Sequence, residues 1–202
     1  MNSRRVVAVA ATILIGGSAA AFAQSRIQFV EYSAKFLCGV VEEKEPGAFP
    51  VRPGLYETSI NIHNPQLPVS PLPSVTFVKK VVLAPREADK PVRPSAFRRD
   101  ILQADFAEHV DCKVIRAMLG AAGGAPFVEG FVVLITIPSP PTVTHELDVV
   151  GVYTVSSLQG QDVALEIVPT TARILPFPAE AGAKLRDKML EDSKKEGESK
   201  NE

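Results

Sequence analysis

The chain has no tryptophan, only two cysteines and only three histidines in 202 residues. With tryptophan absent and aromatics at 6%, a large aromatic platform for stacking sugars is not expected. Charge of one sign is missing too. Lys and Arg number 22 against 23 Asp and Glu, a net charge of −1, so nothing draws in nucleic acid or an anionic membrane surface. Beyond the N-terminal region no apolar run approaches the ~18 residues of a membrane span. The nucleophile-elbow pattern Gly-x-Ser-x-Gly is absent. So are the P-loop and Rossmann glycine patterns, since Gly120 to Gly124 neither follows a clear strand nor carries a lysine. Two cysteines with no CxxC and no nearby histidine make a poor zinc site. His63, His109 and His145 sit on three distant segments, His109 and His145 being expected at the surface, so no shared metal site is expected. Acidic pairs such as Glu42-Glu43 and Glu146 with Asp148 are ordinary surface chemistry. No catalytic, metal-binding or cofactor-binding residue is assigned, no cofactor is expected, and the chain reads as a non-enzyme.

What is present begins at the N-terminus. Arg4 and Arg5 precede an almost unbroken apolar run from Val6 to Ala21, and Ala21-Phe22-Ala23 supplies small residues at the positions a signal peptidase reads. Residues 1–23 are expected to be a signal peptide cleaved after Ala23, the alternative being an uncleaved anchor. No cysteine follows the run, which argues against a lipoprotein. Ser3 to Val7 partly matches a twin-arginine signal, with Sec export the simpler route. The mature protein is then periplasmic or extracellular, without an integral membrane span.

In an oxidising compartment, Cys38 and Cys112 form an even pair that reads as one disulfide, worth on the order of 4 kcal/mol in the chain-entropy view. Two separate buried thiols are the alternative. An Asp111-Cys112 nucleophile is discounted, because a neighbouring carboxylate raises a thiol's pKa.

Seventeen prolines, all beyond residue 45, break the chain into short segments rich in Val, Ile, Thr, Phe and Tyr. Such spacing leaves little room for long helices and indicates an all-β domain. In Val30–Cys38 the even positions Val30, Tyr32, Ala34, Phe36 and Cys38 are apolar and predict a half-buried strand. In Tyr56–His63 the even positions again face inward. Strands follow at Val75–Leu83, where Lys79 and Lys80 interrupt, and at Phe131–Ile137, apolar throughout as for a strand covered on both faces. Val149–Ser156 and Val163–Val168 come next across a polar turn at Gln159–Asp162. These last three are expected to form an antiparallel meander, with Thr171–Leu175 as an edge strand. Up to Val110 the stretch 98–120 reads as strand-like or irregular. A short helix is predicted over Cys112–Leu119, with Asp111 as N-cap and Gly120 just past its end, then a small-residue loop over Ala121–Ala125. The expected fold is a single antiparallel, immunoglobulin-like β-sandwich of about seven or eight strands over residues 24–178. Residues 179–202 form a charged tail, with a short exposed helix at Ala181–Leu190 followed by disorder.

Several segments taken together resemble a group of uncharacterised exported bacterial β-sandwich proteins. These are Tyr32 to Gly39, Pro53 to Thr58 running into Ile60 to Pro65, Val110-Asp111-Cys112, Glu129 to Val133 and Leu147 to Thr154. Their pattern is similar in turn to the sensory-rhodopsin-transducer type of β-sandwich. The resemblance spans roughly Phe29 to Leu175. It implies a sandwich with structural roles for both cysteines, and it carries no enzyme activity.

Asn61, His63 and Asn64 cluster at a strand end. They either hold the turn by bonding local backbone or form a polar ligand-contact patch. The expected function is a non-catalytic envelope module that binds a protein partner or assembles with itself through sheet faces or edges. The alternative is a small-molecule or glycan-binding module using end loops such as Glu42–Pro53 and Pro85–Pro94.

Overall fold

The computed structural model describes residues 26–42, 51–70, 73–84, 92–138, 145–158 and 163–198. The expected signal peptide, the turn at Gln159–Asp162 and most of the two expected ligand loops lie outside the described residues.

Among the described residues, nine antiparallel strands form one hydrogen-bonded sheet: β1 (Arg26–Val41), β2 (Gly54–His63), β3 (Val75–Leu83), β4 (Arg98–Leu102), β5 (Ala107–Asp111), β6 (Phe127–Thr136), β7 (Asp148–Ser156), β8 (Val163–Pro169) and β9 (Arg173–Pro178). The all-β expectation holds, and the strands run as one continuous sheet. Along the main path the order is β4-β3-β6-β1-β2-β7-β8, with β5 on β2 and β9 on β1. Two arms meet where β1 and β2 share only three pairs, Gly39–Val41 against Gly54–Tyr56. Beyond them Thr58 Oγ1 bridges both backbone groups of Leu37, accepting from its N–H at 3.0 Å and donating to its carbonyl at 2.9 Å, and the strands then part. Side chains from both arms, among them Tyr32, Phe36, Phe77, Val132 and Leu134 from the first and Ile60, Ile62, Val110 and Val149 from the second, merge into one core.

The predicted alternation is met: Val30, Tyr32, Ala34, Phe36 and Cys38 are all buried. The meander is not. β6 pairs with β1 and β3, and only β7 and β8 form the expected hairpin. From Leu134 onward β6 is buried on both faces, a burial that an inner strand provides and a place beside β7 in the second arm would not. Phe131 departs from the expectation and stays 39% exposed. The edge strand runs slightly later than predicted and includes Pro176 and Pro178, opposite Gln28 and Arg26, as an edge strand permits.

α1 (Cys112–Leu119) forms where predicted. Asp111 caps it, its Oδ1 accepting from Val114 N–H at 2.8 Å, and Gly120 ends it with φ 59°, a conformation that costs glycine little. The expected small-residue loop is a 3₁₀ turn over Gly120–Gly124. Cys38 and Cys112 are joined by a disulfide, which staples β1 of the first arm to the segment following β5 of the second. Arg116 tightens the same corner, donating to the carbonyls of Cys38 at 2.8 Å and Pro126 at 3.1 Å.

The C-terminal segment corrects the sequence reading. The helix α2 spans Ala179–Glu198, well beyond Leu190, and it is docked rather than exposed. Met189 is 1% exposed and joins Ile27, Phe29, Val78, Ile135 and Ile137 in a second cluster on the outer face of the first arm. Gly182 makes the approach possible, since a Cβ there would lie 2.8 Å from Ile27 Cβ. Along β1 the buried side therefore changes: at Ile27 and Phe29 it faces α2, and from Val30 onward it faces the shared core. No helix among the described residues is long and apolar enough to cross a membrane.

Candidate functional site

The three residues of the polar patch part company in the structure. Asn64 is fully buried and works as a bracket. Its amide donates to Pro73 O at 3.1 Å and Leu102 O at 3.0 Å, and its Oδ1 accepts from Gln66 N–H at 3.1 Å. That is the turn-holding role, extended to two other segments. Asn61 is exposed and accepts from Ser59 Oγ at 3.3 Å. His63 lies between two carboxylates, Nδ1 at 3.1 Å from Asp148 Oδ2 and Nε2 at 3.4 Å from Asp105 Oδ1. The hydrogen bond to Asp148 is the largest influence and raises the imidazole pKa; burial comes next and works against it, and Asp105 adds to the rise. Asp105 has φ 60°, a left-handed conformation that aspartate tolerates better than most residues. No group of three or more His, Cys, Asp and Glu among the described residues is arranged to hold a metal ion. His109 is exposed as expected, whereas His145 is 6% exposed, with Nε2 lacking a partner among the described residues. It fills the approach to β7 beside Leu147, whose N–H donates to the Tyr32 hydroxyl at 2.7 Å.

A second cluster escaped the sequence reading. Val75, Phe77, Lys79 and Val81 all point inward on β3, so Lys79 is a core-facing lysine. Its ammonium meets Asp100 Oδ2 and Glu108 Oε1, each at 2.9 Å. Burial works to lower the lysine pKa, and the two carboxylates outweigh it and raise the pKa. Asp100 is on β4 and Glu108 on β5, so the cluster ties the first arm to the second on the side away from the β1–β2 corner. A signal was present: the alternation of β3 puts Lys79 on the apolar face. Its partners are 21 and 29 positions away, where periodicity says nothing.

The surface with a functional shape is the outer face of the second arm. Register places Glu57, Ser59, Asn61 and His63 of β2 beside Thr154, Val152, Val150 and Asp148 of β7. Beyond these lie Leu165, Ile167 and Pro169 of β8, with Val163 beside Ser156. The face is polar toward β5, where His109 and Asp111 sit, and apolar toward β8. All seven residues of β8 are exposed, including Val163 at 72%, Leu165 at 61% and Ile167 at 61%. Nothing among the described residues covers this face, whereas α2 covers the corresponding end of the first arm.

An open cleft of about 470 Å³ lies where β1 has left β2 and has not yet met β9. Ser33, Lys35, Phe131, Tyr153 and Thr171 are among its lining residues. The Tyr153 hydroxyl donates to Lys35 O at 2.8 Å. Burial and then the charge of Glu166 raise its pKa, so it stays a neutral donor. The side chain lies over Gly151, where a Cβ would meet the Tyr153 hydroxyl at 2.5 Å and the ring at 2.7 Å.

No family model, no curated protein and no solved structure matches the chain.

Proposed function

We propose that the chain is an exported, non-catalytic binding or assembly module of the bacterial envelope, working through the outer face and free edge of its second arm. One observation carries the reading: β8 is a seven-residue edge strand exposed on both faces, with Val163, Leu165 and Ile167 aligned on one of them. An apolar strand edge left open is an invitation to pairing. A disulfide fits an oxidising compartment. The leader at residues 1–23 gives the route there, and the resemblance to exported bacterial sandwich proteins agrees with it. A photoreactive amino acid at position 165 of the full chain, expressed in the cells that make it, tests the reading. Adducts should form there and not at the exposed control position Lys188. No adduct at 165, or equal adducts at both positions, refutes it.

The cleft beside Tyr153 favours a second reading, a small-molecule or glycan site, at a place other than the end loops. A ligand screen by thermal shift, with Tyr153→Phe abolishing any hit, would support it, and a screen without hits removes it.

A further inference from the structure

We infer that the occupant of the β8 edge is a second copy of this chain, paired antiparallel about a twofold axis at Leu165. The inference rests on the binding-module reading above and names its partner. Twofold pairing at that residue sets Leu165 against Leu165 of the second copy and Val163 against Ile167, apolar on apolar along the outer face. On the other face it sets Glu166, the strand's single charge, against Ala164 rather than against itself. An axis half a residue away is excluded by the pleat, because directly opposed residues of an antiparallel pair share a face and Leu165 and Glu166 do not. Moving the axis to Glu166 opposes the two carboxylates directly, which is destabilising across a strand pair. Pairing about Leu165 thus matches all five residues from Val163 to Ile167 with no like charges opposed.

Edge strands that must stay single are usually blunted by lysine, by an inward charge or by a central proline. β8 has none of the three within its first six residues except Glu166, and its proline is the last residue, Pro169. The area is small. Val163, Leu165, Ile167 and Val168 are 72%, 61%, 61% and 39% exposed, and edge pairing covers only the flanks of these side chains together with the paired backbone, so the contact falls in the range below about 1,200 Å² that belongs to weak association. The dimer is therefore weak and concentration-dependent. It would extend the second arm into a sheet continuous across both copies, leaving the polar end at His63 and Asp148 clear of the axis.

Light scattering and cysteine cross-linking test this on the chain purified with its Cys38–Cys112 bond intact. The mass should rise from one copy toward two between about 10 μM and 1 mM. Leu165→Lys, at an exposed position that leaves the fold alone, should weaken the association about 100-fold, because symmetry applies the substitution twice. Paired residues are ~5 Å apart, within disulfide reach. Leu165→Cys should therefore form a covalent dimer under mild oxidation, while the equally accessible Val163→Cys should not. Val163→Cys mixed with Ile167→Cys should give the heterodimer. A monomer throughout the range, dimers that survive Leu165→Lys, or cross-linking of Val163→Cys as fast as Leu165→Cys each overturns the inference. In cells, a position-165 adduct to a different protein overturns it while sparing the binding-module reading, and the absence of any adduct ends both.

Discussion

Removing the Cys38–Cys112 bond should cost the protein about 4.4 kcal/mol. The bond closes a loop with a sequence separation of 74, and the chain-entropy relation for that length gives a loss of about 15 cal/mol/K in the unfolded ensemble, or ~4.4 kcal/mol at 25 °C. The loop holds β2, β3, β4 and β5, elements of both arms, so without the bond these strands must find one another unaided. For a domain of this size the melting temperature should fall by about 9–18 °C. Two samples separate the cross-link from the local packing. Wild type reduced by dithiothreitol loses the cross-link alone. Cys38→Ala/Cys112→Ala also loses the sulfur that accepts from Thr58 N–H at 3.2 Å, which adds about 1 kcal/mol. Urea unfolding followed by circular dichroism reads both. A reduced protein within about 1 kcal/mol of the oxidised one would refute the loop-closure argument.

Three other perturbations have definite expected outcomes. Lys79→Met should destabilise by about 2–3 kcal/mol by urea unfolding at pH 7, since it leaves Asp100 and Glu108 partly buried without their cation, the figure being reduced because both carboxylates keep some solvent. His63 has a raised folded pKa, so its contribution is fully present below about pH 6.5, its unfolded value, and fades as pH rises through the folded value. His63→Gln should therefore be less stable than wild type at pH 5.5 and indistinguishable at pH 9, and a gap that widens with pH would contradict the geometry. Met189→Ala should cost about 2–4 kcal/mol by calorimetry, a loss that an undocked helix would not show.

Elements governed by local rules were legible in the sequence. Period-two patterning located the strands at Val30–Cys38 and Tyr56–His63, and a cap residue with a terminal glycine located α1 almost to the residue. The disulfide was readable from cysteine number together with the expectation of export, and Cys38 on the inward face of its strand agreed with it. What stayed hidden depends on distant partners. β6 looked like a neighbour of β7 because it precedes it, but it pairs with β1 and β3, and its two faces are covered by the shared core and by the cluster under α2. α2 read as surface because its buried positions, Gly182 and Met189 with Leu185 between them, include a glycine, whose value lies in the Cβ it lacks. Lys79 looked like an interruption of β3 rather than half of a cross-arm tie. In the candidate patch, Asn64 was correctly placed at a turn, while its reach to Pro73 and Leu102 was beyond any local pattern. The bare face of β8 showed up only once it was known which faces had been covered.

The pairing of β1 with β9, from Arg26 opposite Pro178 to Glu31 opposite Arg173, has a consequence for how the molecule is made. The strand β1 gains that neighbour, and the cover of α2, from segments far along the chain. Contacts spanning so much sequence are slow to form. Until β9 and α2 arrive, Ile27 and Phe29 have Val78, Ile135 and Ile137 beside them but lack Phe177 and Met189 above. Closure of the first arm thus waits for its most distant pieces, and the second arm has no such wait.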